Sequence, residues 1–416
     1  MTRTLPLGAA LPLVIFPLDW AWPAPAETVL YSFSDKDGAI PSAGLIIDSE
    51  GRLYGTTAGG SAGFGAVFKL TPPADGQTNW TATLLHSFGA NDGHYPHGGL
   101  VADKEGALYG MTSSGGSADK GTVFKLKPPA AGETGWAETV LYSFNGTGGA
   151  NPGAGLIAAG EGALYGTTPG GGTSGNIGTV FKLTPPRAGQ TGWTETVLHS
   201  FAGQDGRQPA ACLLADEEGA LYGTALLGGR GGEGTIFKLV PPGAEQTQWT
   251  RTVLYDFTGG SDGGEPAAGL IAGTDGALYG TTRKGGRGGE GTIFKLVPPG
   301  AEQTRWTEIV LYNFTGGSDG GEPEAGLTAG KEGALYGTTR KGGRVGRGTV
   351  FKLLPPGAGQ QQWTETVLYN FTGGSDGGDP EAGLVADKEG ALYGTTANSG
   401  INGLGVVFKL VDPSGR

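Results

Sequence analysis

Cysteine is almost absent from this chain. Cys212 stands alone among 416 residues. One thiol excludes an intramolecular disulfide and any metal site built on a CxxC pair. Histidine is nearly as scarce, with four residues. No run of ten or more residues carries a helical period. Beyond residue 26, nothing is long and apolar enough to span a membrane. There is no block of one charge sign; the net charge of −11 is spread along the chain. An acidic surface of this kind argues against nucleic acid as the default partner.

What the chain has in excess is glycine and proline, 85 and 26 residues. Without a period that composition reads as low complexity; with one it reads as many turns. The first 26 residues differ from the rest. "MTRTLPLGAALPLVIFPLDWAWPAPA" has one arginine, an interrupted apolar stretch over 5–18, and Ala24-Pro25-Ala26. This is the layout of a secretory signal cut after Ala26, which places the mature chain in the periplasm, at the cell surface or outside the cell.

A period runs through the remainder. "LYGT" or a close variant recurs with Tyr54, Tyr109, Tyr165, Tyr222, Tyr279, Tyr336 and Tyr393, at spacings of 55 to 57 residues. "VFKL" or "IFKL" recurs as often, and so do runs like "TVLYSF". One unit holds four short runs rich in β-branched and aromatic residues, separated by Gly, Pro, Asp and Ser. Several are apolar on both faces, which suits a sheet packed between two others. Seven units of four strands predict an all-β, seven-bladed β-propeller with four antiparallel strands per blade. The ends agree. Residues 27–33 read as the fourth strand of a unit and the chain finishes after a third strand. The N-terminal strand is therefore expected to complete the last blade. The repeats fill 27–410 and leave 411–416 as a short tail.

The period disposes of one tempting motif. "GGRGGEG" from Gly285 to Gly291 satisfies the GxGxxG dinucleotide fingerprint. That fingerprint needs a helix after the loop, so that a helix N-terminus meets the pyrophosphate. The next residues are instead "TIFKLVPP", which read as a strand. The glycines are expected to form a hairpin connection.

The repeated motifs "DGALYGTT", "GGxxGxGTVFKLxPP" and "WTETVLYxF" resemble the GloVer, or Gloeo/Verruco, tandem repeat over roughly 27–410. The resemblance implies a secreted bacterial propeller with no established activity, and it supplies no catalytic residues. Members often carry a C-terminal anchoring segment, and "VDPSGR" does not resemble one.

In a propeller of this strand order, the hairpin between the second and third strands shares a face, here called the top, with the link between blades. The link carries Asp-Gly six times, at Asp37, Asp92, Asp205, Asp262, Asp319 and Asp376. These carboxylates are candidates for binding polyols or Ca²⁺, although one Asp per loop is few for calcium; the plain alternative is an Asp-Gly turn. Arg283, Lys284, Arg287, Arg340, Lys341 and Arg344 are a candidate basic patch for acidic ligands, set against charge pairing with neighbouring loops. His94 and His97 with Asp92 are weak candidates for a metal site. His86 and His199 occupy a tyrosine position and read as packing substitutions. Cys212 replaces a repeated glycine and reads as a buried, inert thiol. The repeated tryptophans, such as Trp306, read as anchors of the blade edge.

No catalytic set emerges, and no cofactor is expected. The favoured expectation is a monomeric, non-enzymatic binding or scaffold module for an extracellular glycan or cell-surface protein. The alternatives are a carbohydrate-active or lyase-type enzyme with its site in the central channel, and a purely structural envelope protein. The enzyme alternative demands asymmetry: a catalytic blade must carry residues its siblings lack.

Overall fold

In the computed structural model, residues 25–60, 63–243, 246–300, 303–357 and 359–412 are described. The segment read above as a secretory signal lies outside them, except for its last two residues. The chain forms seven four-stranded antiparallel sheets. Blade 5 is typical, with strands Ile271–Ala272, Leu278–Thr282, Thr292–Val297 and Thr307–Asn313. The innermost strand has two residues, shorter than its apolar run. It is flanked by Gly and Pro, which weaken a ladder, and it lies where seven blades converge. Blade 7 is completed by Ala26–Ser32, which pairs with Val406–Val411 from the other end of the chain.

The packing between blades explains strands that are apolar on both faces. The Phe that ends each outer strand meets the Phe of the next blade's third strand edge-on. Phe257–Phe294 and Phe371–Phe408 have centroids 5.3 and 5.2 Å apart, and Phe33–Phe68 joins blade 7 to blade 1 at 5.0 Å. The glycine of "LYGT" makes room for this ring. Gly280 pairs across the ladder with Phe294, and a Cβ there would lie 2.6 Å from the ring's Cζ. Gly280→Ala should therefore destabilise the protein by about 1–3 kcal/mol through overpacking, read as a lower urea midpoint.

Hydrogen bonds run around the ring as well. A "LYGT" threonine donates to a carbonyl of the following blade: Thr281 to Ala325, Thr338 to Ala382, and Thr395 to Ala43 across the closure. Trp363 packs edge-on to Tyr279 of the preceding blade, as Trp80 does to Tyr393, so these tryptophans join neighbours. In blades 2 to 7 the lysine of "FKL" lies over the "LYGT" tyrosine of its own blade, 4.8 Å above the ring for Lys238 and Tyr222. Both residues recur because the architecture uses them.

The links and the glycine-rich hairpins meet on one face through bridges such as Gly264 to Lys284 and Gly321 to Lys341. Gly285, Gly286, Gly289 and Gly291 all have positive φ, and they lead into a strand. The fingerprint at this loop is a hairpin. At the axis, one residue from each blade touches its neighbours. A Cβ on Gly99 would lie 3.7 Å from the Gly44 carbonyl oxygen, one on Gly326 3.6 Å from that of Gly269, and one on Gly44 3.8 Å from that of Gly383. Gly155 and Cys212 complete this girdle through a Gly155 N–H to Sγ contact of 3.1 Å.

Candidate functional site

The link aspartates do not stand on the open face. Asp205, Asp262 and Asp376 are buried. Asp262 accepts from the Thr258 amide at 2.9 Å, from its hydroxyl at 2.5 Å, and from the Tyr255 hydroxyl at 3.2 Å. Asp319 and Asp376 repeat this pattern with Tyr312 and Tyr369. Asp37 bonds Tyr31 and Ser34. Asp92 and Asp205 accept link amides and meet a histidine instead of tyrosine, His86 and His199, at 2.8 and 2.7 Å. Each carboxylate thus ties its turn to the end of the preceding outer strand, a geometry opposed to an exposed acidic ring.

The same aspartates face a residue near the start of the next outer strand. That residue is Glu138 beside Asp92, Glu308 beside Asp262, Glu365 beside Asp319 and Glu27 beside Asp376. Burial, and then the aspartate's charge, pushes each of these glutamates up to about 7. All four leave Oε1 buried without a hydrogen-bond partner among the described residues. The third link lacks the aspartate, and Glu195 meets Tyr142 at 3.3 Å. At the fourth, Arg251 replaces the glutamate, and its Nε lies 3.4 Å from Asp205 Oδ2. Sequence reading missed these sets because it assigned the aspartates to turns and did not weigh the outer-strand acids.

The basic loop residues divide into two groups. Arg283 pairs with Glu265 and Glu324, and Lys284 with Glu265 at 2.6 Å. Arg340 reaches Glu322, Glu324 and Glu381, and Lys341 reaches Glu322 at 2.6 Å. These four lie within a charge network of neighbouring loops. Arg287 and Arg344 are exposed and turn to the circumference, where they line grooves along the outer strands of blades 5 and 6. Arg230 lines the equivalent groove of blade 4.

The blade 4 groove is about 800 Å³ and runs along Arg251–Asp256, from Asp205 to Arg305 and Trp306. Three of its charged residues have no counterparts at equivalent sites elsewhere. Arg251 stands where other outer strands have Glu or Ala, Asp256 where they have Ser or Asn, and Arg305 where the other tryptophans follow Asn, Gly or Gln. Arg230 and Arg305 are exposed, and Arg251, Tyr255, Asp256 and Trp306 are half-buried. The Asp256 carboxylate accepts the Arg230 backbone N–H at 2.9 Å and so fixes the loop that carries this arginine. Burial, followed by the charges of Asp262 and Glu308, pushes the Tyr255 phenol up. Its proton is held firmly.

His94 and His97 do not converge. His94 sits 3.7 Å from Asp119, and His97 Nδ1 lies 3.2 Å from the Ser42 hydroxyl. Cys212 corrects the expectation of a buried thiol: it is exposed at the axial girdle. The protein surrounding it there still pushes the thiol up by desolvation.

The model of the Gloeobacter/Verrucomicrobia repeat matches residues 14–176 and 303–416, well over half of the chain. The chain belongs to this repeat family. No curated protein matches its sequence. Solved propellers resemble the repeat domain in fold. A protein from Bacteroides uniformis described as a 6-phosphogluconolactonase is 16% identical, with coverage of 83% of this chain and 89% of that one and a TM-score of 0.50. A Thermus thermophilus protein described as a glucose dehydrogenase is 15% identical over 93% and 100%, at 0.44. A PQQ-bound aldose sugar dehydrogenase from Streptomyces coelicolor is 13% identical over 93% and 98%, at 0.43. Identities this low show a shared fold alone. The expectation of a non-enzymatic binding or scaffold module is corrected to this extent: the fold is shared with a propeller that bears an enzyme's name, so it does not by itself indicate a binding module. No helix among the described residues is long and apolar enough to cross a membrane.

Proposed function

We propose that this repeat-family protein is an exported carbohydrate-active enzyme of the lyase type, acting on an acidic polysaccharide in the rim groove of blade 4. Asymmetry carries this reading: Arg251, Asp256 and Arg305 gather in one groove, and no other blade holds them there. Names borne by similar folds add sugar as a substrate class. The secretory layout of residues 1–26 favours a site of action outside the cytoplasm. The axial girdle offers backbone and one thiol at its level, which argues against a site in the channel there.

The chemistry rests on the side chains. Guanidinium forks match planar carboxylates, and Arg230, Arg251 and Arg305 can neutralise substrate uronates along the groove. Neutralising a uronate acidifies the proton on the adjacent carbon. Trp306 offers an apolar ring face to a sugar. Asp205 lines the groove and holds the His199 imidazole, the pair best placed to take up a proton. The leaving oxygen takes its proton from solvent water in the open groove, since the Tyr255 hydroxyl donates to Asp262.

The test is to incubate residues 27–416 with polygalacturonate, alginate and glucuronan, with dextran as a neutral control. Product is followed by the ultraviolet absorbance of unsaturated uronates. Cleavage of an acidic polymer is expected, with a loss of about 10²-fold in Arg251→Glu. Because Glu is the residue at this position in five siblings, that variant should fold. No cleavage of any acidic polymer, or an unchanged rate in Arg251→Glu, overturns the reading.

A further inference from the structure

The places where a link aspartate meets two outer strands can be compared slot by slot. One slot is the ring residue ending an outer strand, the second is the link aspartate, and the third lies near the start of the next outer strand. Five copies put tyrosine in the first slot, and a neutral phenol is a weak ligand for a divalent cation beside imidazole and carboxylate. Between blades 3 and 4 the first slot is His199, but the third is Arg251, whose guanidinium already faces Asp205. Only between blades 1 and 2 do all three slots hold ligand-bearing groups: His86, Asp92 and Glu138. One ligand atom from each lies within 4.8 Å of the others. Glu138 Oε1 is out of reach of solvent and has no hydrogen-bond partner among the described residues.

We propose that His86, Asp92 and Glu138 bind one divalent transition-metal ion, with zinc as the fitting case, and that this ion clamps blade 1 to blade 2. One imidazole and two carboxylates form a nitrogen–oxygen donor set that zinc accepts, with water completing the shell. Tetrahedral bonds near 2.1 Å set ligand atoms about 3.4 Å apart, so His86 Nε2 and Asp92 Oδ2, 2.8 Å apart without the ion, would part slightly to admit it. Blade 4 supplies the internal comparison. There the protein places its own cation, Arg251, against the matching aspartate. At Asp92 none of the three side chains is a fixed cation. Glu138 Oε1 is buried without a hydrogen-bond partner among the described residues, so the site is short of a cation.

The histidine that sequence reading assigned to packing fills both roles. His86 stacks edge-on to Phe88 at 4.9 Å, as Tyr312 does to Phe314 at 5.1 Å, and it meets the aspartate as tyrosine does elsewhere. Substitution by tyrosine is therefore a conservative control that restores what five siblings have.

The experiment uses residues 27–416, stripped with EDTA, titrated with Zn²⁺ by calorimetry and with Co²⁺ by visible absorption. One equivalent is expected, together with a higher melting temperature. His86→Tyr should fold and lose at least tenfold in affinity, whereas a His94→Ala/His97→Ala double variant should bind unchanged. Arg251→Glu recreates the three-ligand pattern beside His199 and Asp205, and should raise the stoichiometry to two. Substoichiometric metal in the parent protein, or full binding in His86→Tyr, overturns the proposal.

Discussion

A chain that begins at Ser34 should fail to form a stable monomer, whereas one that begins at Glu27 should fold. The segment Ala26–Ser32 is the outer strand of blade 7 and pairs with Val406–Val411 in six register pairs. Phe33, 1% exposed, comes directly after it and packs on Phe68 of blade 1. Removing both strips the third strand of blade 7 of its partner and opens the core between blades 7 and 1. An unpaired apolar strand edge seeks another chain. The shorter chain should therefore elute as aggregate, or as a dimer that exchanges edges, and lose its cooperative thermal transition. Placing residues 26–33 after Asp412, through a copy of the blade 6 loop "PPGAGQQQW", should restore the monomer, because Ala26 pairs with Val411. Size-exclusion chromatography and circular dichroism on the three proteins decide the matter. If the chain from Ser34 melts like the longer one, the closure is not a structural requirement.

The protein should also be more heat-stable near pH 5 than at pH 8. Glu27, Glu138, Glu308 and Glu365 are pushed up to about 7 in the folded state, first by burial and then by a neighbouring aspartate. Between about 4.3, the unfolded value, and about 7, the folded state binds more protons than the unfolded state. Stability must then fall as pH rises through that window. These groups are only half-buried, so each contributes on the order of 1 kcal/mol after solvent screening, and the four together several degrees of melting temperature. Carboxylates held below their usual range act in the opposite sense. Asp205, with His199, the Ala202 amide and Arg251 against it, and Glu265, with Lys284 and Arg283, lose their contribution only at lower pH. The optimum is therefore expected near pH 5. The double variant Glu308→Gln/Glu365→Gln should flatten the slope between pH 5 and 8 and raise the melting temperature at pH 8. A profile that rises toward pH 8 in the parent protein would show that these acids are charged in the folded state.

Particular residues show how far the sequence could be read. The tyrosine of each "LYGT" recurs at nearly constant spacing, which predicted seven units, and the strand types at the two ends predicted the closing strand. Arg283 and Arg340 were legible as charged loop residues, but both alternatives, ligand patch and charge pairing, were open. Their partners Glu324 and Glu381 belong to neighbouring repeats, and only the ring places them within reach. Arg251 left a trace in the sequence, since it alone breaks the Glu-or-Ala pattern near the start of the outer strand. His86 was visible as a departure from tyrosine, but its third partner, Glu138, sits a repeat away.

The sequence by itself determined the strand order, the number of blades and the role of the glycines, because these depend on local backbone preference and on periodicity. Turns need residues tolerant of positive φ, and strands need β-branched and aromatic ones. The tertiary structure decided which polar groups meet. A propeller sets the top of one outer strand against the start of the next, so groups distant along the chain share one buried position. The charge and hydration of that position depend on all of them together. One identity in such a set, Arg251 or Glu138, turns a repeated turn motif into a charge-paired groove or a site short of a cation.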